Sequence, residues 1–208
     1  TGLYKPTAGE IWFKGVRIDG KRPDDIARLG IARTFQNIRL FKQMTVLENV
    51  LVGRHCRMGE SLLDDVAGTR RKREEEAAAL ESARELLAFF GLDSLRNERA
   101  SSLPYGLQRK LEIARALAGG PEVLLLDEPA AGMNTQEIKG VTALMTDLLS
   151  RGVTLLLVEH HMKLVMGVCD RVVVLNHGER IAEGIPSEVQ RDPRVVAAYL
   201  GRQGYSGA

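Results

Sequence analysis

Along EIWFKGVRIDG, residues 10–20, apolar and polar positions alternate, and Lys14-Gly15 and Asp19-Gly20 supply turns, so the pattern predicts a β-hairpin. Ile31 to Phe35 predicts a short strand ending at Gln36, and Thr45-Val46-Leu47-Glu48 has the form of a capping box that starts a helix. Over residues 71–92 the apolar side chains Leu80, Ala83, Leu86, Leu87 and Phe90 recur at helical spacing, with Gly91 placed to end the helix. Leu107, Leu111, Ala114 and Ala118 repeat the same way until Gly119-Gly120-Pro121 stops a second helix.

The pattern then changes period. The run VLLL at 123–126, a helix from Asn134 with Glu137 completing its cap, and VTLLLV at 153–158 form a β-α-β unit. Strands this apolar suit a parallel sheet covered on both faces. RVVVLNHGERIAEG, residues 171–184, predicts a hairpin turning at Asn176-His177-Gly178, and Pro193 starts a last short helix. The fold class is α/β, organised as an N-terminal β region over residues 1–52, a helical subdomain over 53–118 and a C-terminal α/β part over 119–208.

At 208 residues and 44% hydrophobic content the chain is long enough for one substantial core. The 29 Lys and Arg against 27 Asp and Glu leave a net charge of +2 with no block of like charge, which argues against a nucleic-acid or lipid-binding patch. The longest apolar runs fall far short of the roughly 20 residues that span a bilayer, so a membrane role would be peripheral. Cys56 and Cys169 stand far apart without a metal or redox spacing, as in a reducing compartment.

Candidate chemistry gathers at predicted strand ends. VLLLDEP closes an apolar strand with Asp127 and Glu128; an Asp there can hold magnesium while the neighbouring Glu orients an attacking water. Alone, it is equally a buried strand with a solvated acidic end. Gly106 sits where the helix of LPYGLQRKLEIARAL begins, so backbone N–H groups could face a phosphate there; the alternative is a glycine turn. Glu159-His160-His161 follows the strand VTLLLV, and a histidine at that end can donate to a phosphate, although a surface histidine fits as well. Gln36 can reach a metal or water as a neutral ligand.

A strand-end Gln, a Y-G-x-Q-R-x-L-E-I-A-R helix, an hhhhDEP strand and a strand-end His, in that order, resemble the nucleotide-binding subunit of ABC transporters. RTFQNIRLFKQMTVLENVLVGRH, YGLQRKLEIARAL, DEPAAGMN and LLLVEHHMKLVMGVCDRVVVLNHGERIAEG look most like the ATPase subunits of branched-chain amino acid importers. The resemblance covers essentially the whole chain and is weakest over 57–78. It implies a P-loop NTPase-like core with an inserted helical subdomain, ATP and Mg2+ as ligands, and hydrolysis coupled to solute transport by a head-to-tail dimer of identical or related ATPase subunits. It also implies membrane-spanning permease subunits as partners, an extracytoplasmic solute-binding protein acting indirectly, no nucleic acid, and a peripheral place on the cytoplasmic face of the membrane.

Residue by residue, the resemblance makes Gln36 the residue that touches magnesium and the attacking water. Leu103, Pro104, Tyr105, Gly106 and Leu107 become the signature that closes over the partner's nucleotide, Asp127 the magnesium-side carboxylate, Glu128 the catalytic base, Ala131 to Asn134 the loop at the dimer seam, and His160 the histidine on the γ-phosphate. The chain departs from the common pattern at Leu103-Pro104-Tyr105-Gly106-Leu107, where LSGGQ is usual, at Asn134, and at His161, where aspartate is common. No stretch matches GxxxxGK[ST], and TGLYKPTAGEI resembles the segment just after that loop. The expectation is a fragment whose phosphate-binding loop lies upstream of Thr1.

Two rivals are weighed against this reading. One is a non-catalytic fragment or regulatory module that docks on a permease or a full-length ATPase. The other is a metal-dependent hydrolase built on Asp127, Glu128, Glu159, His160 and His161, against which stands the absence of a His-x-x-x-His spacing.

Overall fold

Three parallel strands organise the molecule: β3 (Ile31–Arg33), β4 (Val123–Asp127) and β5 (Thr154–Val158), in the order β3-β4-β5. The computed structural model describes residues 1–55 and 70–203. Ile31 pairs with Val123, and Asp127 pairs with Val158, so the carboxyl ends of all three strands open on one edge. Leu124 and Leu126 of β4 are fully buried, as the apolar run predicts for a central strand.

Short elements precede the sheet. β1 (Trp12–Phe13) and β2 (Val16–Arg17) pair antiparallel across Lys14 and Gly15, both at positive φ, which is the two-residue hairpin turn expected there. α1 (Pro23–Arg28) was not anticipated by periodicity; Pro at its start, Asp24 and Asp25 in the first turn and Arg28 in the last all match the helix ends. α2 (Val46–His55) begins with the predicted capping box, Thr45 N–H donating to Glu48 Oε2 at 2.7 Å and Glu48 N–H to Thr45 Oγ1 at 3.1 Å.

α3 (Arg70–Phe89) and α4 (Tyr105–Ala118) complete a helical region against α2. Val46, Val50, Ala83, Leu87, Phe90, Leu111 and Ala114 share one buried cluster, each large member contributing about 1.5–3 kcal/mol by leaving water. Gly53 permits the close approach of α2 to α4: a Cβ there would lie 2.0 Å from the Arg115 carbonyl oxygen. Gly91, at φ +69°, ends α3 as anticipated. Leu80 departs from its expected inward place and is exposed, because the buried stripe of α3 runs through Ala79, Ala83, Leu87 and Phe90 instead. Residues 56–69 of the expected helical subdomain, with Cys56 among them, lie outside the described residues.

α5 (Thr135–Ser150) links β4 to β5 and carries both halves of the capping box predicted from Asn134 and Glu137. α6 (Met162–Val168) follows β5, and β6 (Val172–Asn176) pairs with β7 (Glu179–Gly184) across His177 and Gly178, both at positive φ. α7 (Pro186–Val189) and α8 (Pro193–Gln203) close the described chain. The expectation of a sheet covered on both faces is met on one face, where Leu124 and Leu126 are buried and Leu155 and Leu157 pack against the same core, and fails on the other, where Val123 and Leu125 of β4 are only half-buried. As the edge strand, β5 turns Leu156 (50% exposed) and Val158 (54%) toward a face on which no described element packs, and Val173 and Leu175 of β6 are likewise exposed.

No helix among the described residues is long and apolar enough to cross a membrane.

Candidate functional site

Glu128 follows the last residue of β4 and adopts φ +44°, a left-handed conformation that costs a non-glycine residue of the order of 1–3 kcal/mol. Two backbone bonds hold it there: Glu128 N–H to the Val158 carbonyl at 2.9 Å, and Ala131 N–H to the Glu128 carbonyl at 3.1 Å. The chain thus reverses sharply at the strand end and leaves the carboxylate at the sheet edge, with its side chain 30% exposed.

Three of the anticipated residues meet at this edge. The Gln36 side-chain amide donates to Glu128 Oε2 at 2.8 Å, and His160 Nδ1 lies 3.8 Å from Glu128 Oε1. Each comes from the end of a different strand, Gln36 just past β3, Glu128 past β4 and His160 past β5. Asp127 completes the group from inside β4, but its Oδ2 accepts from the Arg33 guanidinium at 2.8 Å. Arg33 is a neighbour that strand patterning did not single out, since its period-2 position says nothing of charge pairing along the edge.

Glu159 supports the same edge from beneath. Its carboxylate is fully buried and accepts backbone N–H groups from Ala130 at 3.1 Å, His160 at 2.7 Å and His161 at 3.0 Å. One side chain therefore ties the loop after β4 to the turn after β5, and fixes where His160 starts.

The remaining anticipated residues form a second group at the start of α4. Leu103 is buried in the core and its carbonyl accepts from the Gln108 side chain at 2.7 Å. Pro104 occupies the N-cap position without a side-chain cap, while Tyr105 and Gly106 open the helix. A Cβ on Gly106 would lie 3.1 Å from Glu137 Oε1, so the turn packs directly on the start of α5. Asn134 sits at that same place, its side-chain oxygen accepting from Gln136 N–H at 2.9 Å and Glu137 N–H at 3.0 Å. Leu107 packs partly buried against the core.

What joins the two groups is Arg109, which the sequence reading passed over. Its side chain is wholly buried and donates to the Phe35 carbonyl at 2.6 Å, the Gln36 carbonyl at 2.7 Å, Glu112 Oε2 at 2.8 Å and the Tyr105 hydroxyl at 3.3 Å. Glu112, equally buried, accepts in addition from Arg39 N–H at 3.0 Å. The pair clamps the backbone of the Gln36 loop onto the helix that begins at Tyr105. A signal did exist: Arg109 is in line with Ile113 and Leu117 on the buried face of α4, where a charge requires a partner.

Comparison with known proteins identifies the family to which this fold belongs. The family model described as ABC transporter matches residues 1–131, and that described as Branched-chain amino acid ATP-binding cassette transporter matches residues 179–205. The chain is 45% identical over 202 residues to the high-affinity branched-chain amino acid transport ATP-binding protein LivG of Salmonella typhimurium, covering 97% of this chain and 79% of that protein. It is equally similar, 45% over 202 residues with the same coverage, to the high-affinity branched-chain amino acid transport ATP-binding protein BraF of Pseudomonas aeruginosa. Among solved structures, the ADP conformation of an ATP-binding cassette of an ABC transporter superposes with a TM-score of 0.80 at 35% identity, covering 97% of this chain and 80% of that one. Sequence and fold together place the chain in the ABC transporter family of nucleotide-binding ATPase subunits.

Proposed function

We propose that the chain is the ATPase subunit of an importer for branched-chain amino acids, with hydrolysis performed at the edge where β3, β4 and β5 end. The observation that carries this reading is the convergence of Gln36, Glu128 and His160 from three strand ends, with Gln36 2.8 Å from the Glu128 carboxylate. Phosphoryl transfer asks a protein chiefly to position groups and to neutralise charge. Glu128 is the base that takes a proton from the attacking water, and the Gln36 amide fixes the carboxylate's orientation. His160, exposed beside them, donates to the γ-phosphate oxygen.

Mg2+ fits the donor set, because Asp127, Glu128 and Gln36 offer oxygen ligands of the hard type that the ion takes. Asp127 and Gln36 are the residues that would hold it, Asp127 while its other oxygen pairs with Arg33 and Gln36 while its amide nitrogen donates to Glu128. When bound, the ion supplies charge neutralisation on the phosphate oxygens.

The N-terminal end of α4, Leu103 to Leu107, is the surface presented to the nucleotide of a second ATPase subunit. Support comes from the helix start at Pro104, which has no side-chain cap: Leu107 N–H turns back to the Pro104 carbonyl at 3.0 Å, and the N–H groups of Tyr105 and Gly106 precede that first bond. Leu103 contributes by anchoring this turn in the core and Asn134 by fixing the start of α5 beneath it. The stretch from Asn37 to about Gly53 is the docking surface for the permease: Phe41 and Met44 are exposed there, while Leu40 packs against the core. Such a subunit sits peripherally on the cytoplasmic face of the membrane.

Uptake of labelled leucine, isoleucine and valine by cells with and without the gene for this subunit tests the reading. Loss of uptake, restored by the wild-type gene, is expected. Undiminished uptake of all three would refute the solute assignment while leaving the ATPase chemistry to be judged by hydrolysis.

A further inference from the structure

Arg33 reaches the strand-end carboxylates from the neighbouring strand. Parallel pairing sets Arg33 beside Leu125, and Asp127 lies two residues further along β4, so both side chains fall on the sheet face opposite to the buried Leu124 and Leu126. The guanidinium crosses that interval: its Nη2 donates to Asp127 Oδ2 at 2.8 Å, its Nη1 to Thr1 Oγ1 at 3.4 Å, and its carbon lies 5.3 Å from the Phe35 ring centroid. The Arg33 and Asp127 side chains are 32% and 26% exposed, so water screens this pair less than one at the open surface. Asp127 Oδ1 accepts no hydrogen bond among the described residues.

Asp127, Glu128 and Glu159 bring three carboxylates to the ends of two adjacent strands. Among the described residues, Arg33 is the one guanidinium or ammonium group within ion-pair distance of any of them. His160, near Glu128 and Glu159, adds charge only when protonated. The strand end therefore carries one fixed positive charge, and that charge sits on the carboxylate that the proposed reaction needs for its metal ion.

We propose that Arg33 tunes the affinity of this edge for its divalent cation by sharing Asp127 with it, the guanidinium on one carboxylate oxygen and the ion on the other. This rests on the metal-holding role proposed above for Asp127. A carboxylate already paired with a guanidinium gives up less charge to a second cation, and Arg33 also repels the ion directly. The result is a metal held more loosely than Asp127 alone would hold it. While the ion is away, the same guanidinium offsets the repulsion between the adjacent Asp127 and Glu128 carboxylates. Arg33 thus acts through Asp127 and is a positioning residue. If it served only to tie β3 to β4, its removal would cost stability and would not tighten metal binding.

Mn2+ serves as the probe for Mg2+, because the paramagnetic resonance signal of the free ion is lost on binding. Titrated into the assembled transporter saturated with ADP, Mn2+ should bind Arg33→Met about three- to tenfold more tightly than wild type. Arg33→Lys keeps the charge and gives up the planar fork, and its affinity should stay within about twofold of wild type. Unchanged or weakened binding in Arg33→Met overturns the inference, and so does Arg33→Lys binding as tightly as Arg33→Met. Asp127→Asn tests the reading beneath it and should weaken Mn2+ binding at least about tenfold. Undiminished binding in Asp127→Asn refutes the metal-holding role itself, whereas binding that depends on Asp127 but is not tightened by Arg33→Met refutes the part assigned to Arg33 alone.

Discussion

The Arg109–Glu112 clamp and the Glu128 strand end lie on either side of Gln36, and they are built on opposite terms. Arg109 and Glu112 are wholly buried, and apart from Arg109 Nε, which has no partner among the described residues, their polar atoms meet each other, two backbone carbonyls, the Tyr105 hydroxyl and one backbone N–H. Glu128 and His160 are partly exposed, at 30% and 62%, and the described residues give the Glu128 carboxylate a single hydrogen bond, from Gln36. Where both partners of a charge pair are dry, removing one leaves an uncompensated charge, so the clamp can only be present or broken. Where a carboxylate meets water, it is free to exchange a proton or a ligand. Gln36 belongs to both regions: its backbone is held by Arg109 and its side chain addresses Glu128. Rigidity on one side of that residue and freedom on the other is what a positioned base requires.

Breaking the clamp has the largest expected consequence. Arg109→Met strands the Glu112 carboxylate in the core and should lower unfolding free energy by about 3–5 kcal/mol, read by urea denaturation. Combining it with Glu112→Leu removes both charges and should return much of that loss. A double variant as unstable as the sum of the two singles would show that the pair does not act as a unit.

Glu159→Gln is expected to come next. The change replaces one acceptor oxygen by an amide NH2 facing backbone N–H groups, and should cost about 1–3 kcal/mol of stability. His160 would lose its fixed origin at the same time, so hydrolysis should fall along with stability.

Asn134→Ala deletes a cap that accepts from Gln136 and Glu137 N–H, and about 1 kcal/mol is expected. Because Gly106 packs on the same helix start, protease susceptibility near Tyr105 should rise in that variant. Unaltered cleavage there would separate the two turns.

The smallest effect belongs to two half-buried carboxylates paired with exposed arginines, Asp19 and Asp192. Asp19 is held down to about 2 by the Arg17 guanidinium and the Ile11 N–H, and Asp192 to about 2 by the Arg194 side chain and backbone N–H. A depressed carboxylate contributes stability that is present above its ordinary value near 3.8 and is lost as pH falls toward 2. Asp19→Asn should therefore lower stability slightly at neutral pH and flatten the acid limb of the profile, the two proteins converging near pH 2. Solvent screening keeps both contributions minor.

Much of the scaffold was legible in the pattern of residues. Lys14-Gly15 and His177-Gly178 turned where their positive φ requires, and Thr45–Glu48 and Asn134–Glu137 capped the helices they were read to start. These are local devices, decided within four residues of chain. Glu128 was legible for a related reason, since a carboxylate after VLLLD marks a strand end whatever packs around it. Arg109 was not, because a hydrophobic pattern counts a charge as surface, and its partners lie 74 and 73 residues away at Phe35 and Gln36. Glu159 was seen as a strand-end neighbour, yet its hold on Ala130 depends on a loop 29 residues distant. The exposed face of β5 escaped for the same cause, as an apolar run says that a strand is apolar and not what covers it.

The clamp carries stability and the strand end carries chemistry, and Glu128→Gln separates the two. Single-turnover hydrolysis of ATP by the assembled transporter, with unfolding of the same variant measured alongside, gives both quantities. Loss of the base should slow hydrolysis by about 100- to 10,000-fold while nucleotide binding persists. Unfolding free energy should stay within roughly 0.5 kcal/mol of wild type. Hydrolysis near the wild-type rate, or a destabilisation as large as that of Arg109→Met, would contradict the division between the two regions.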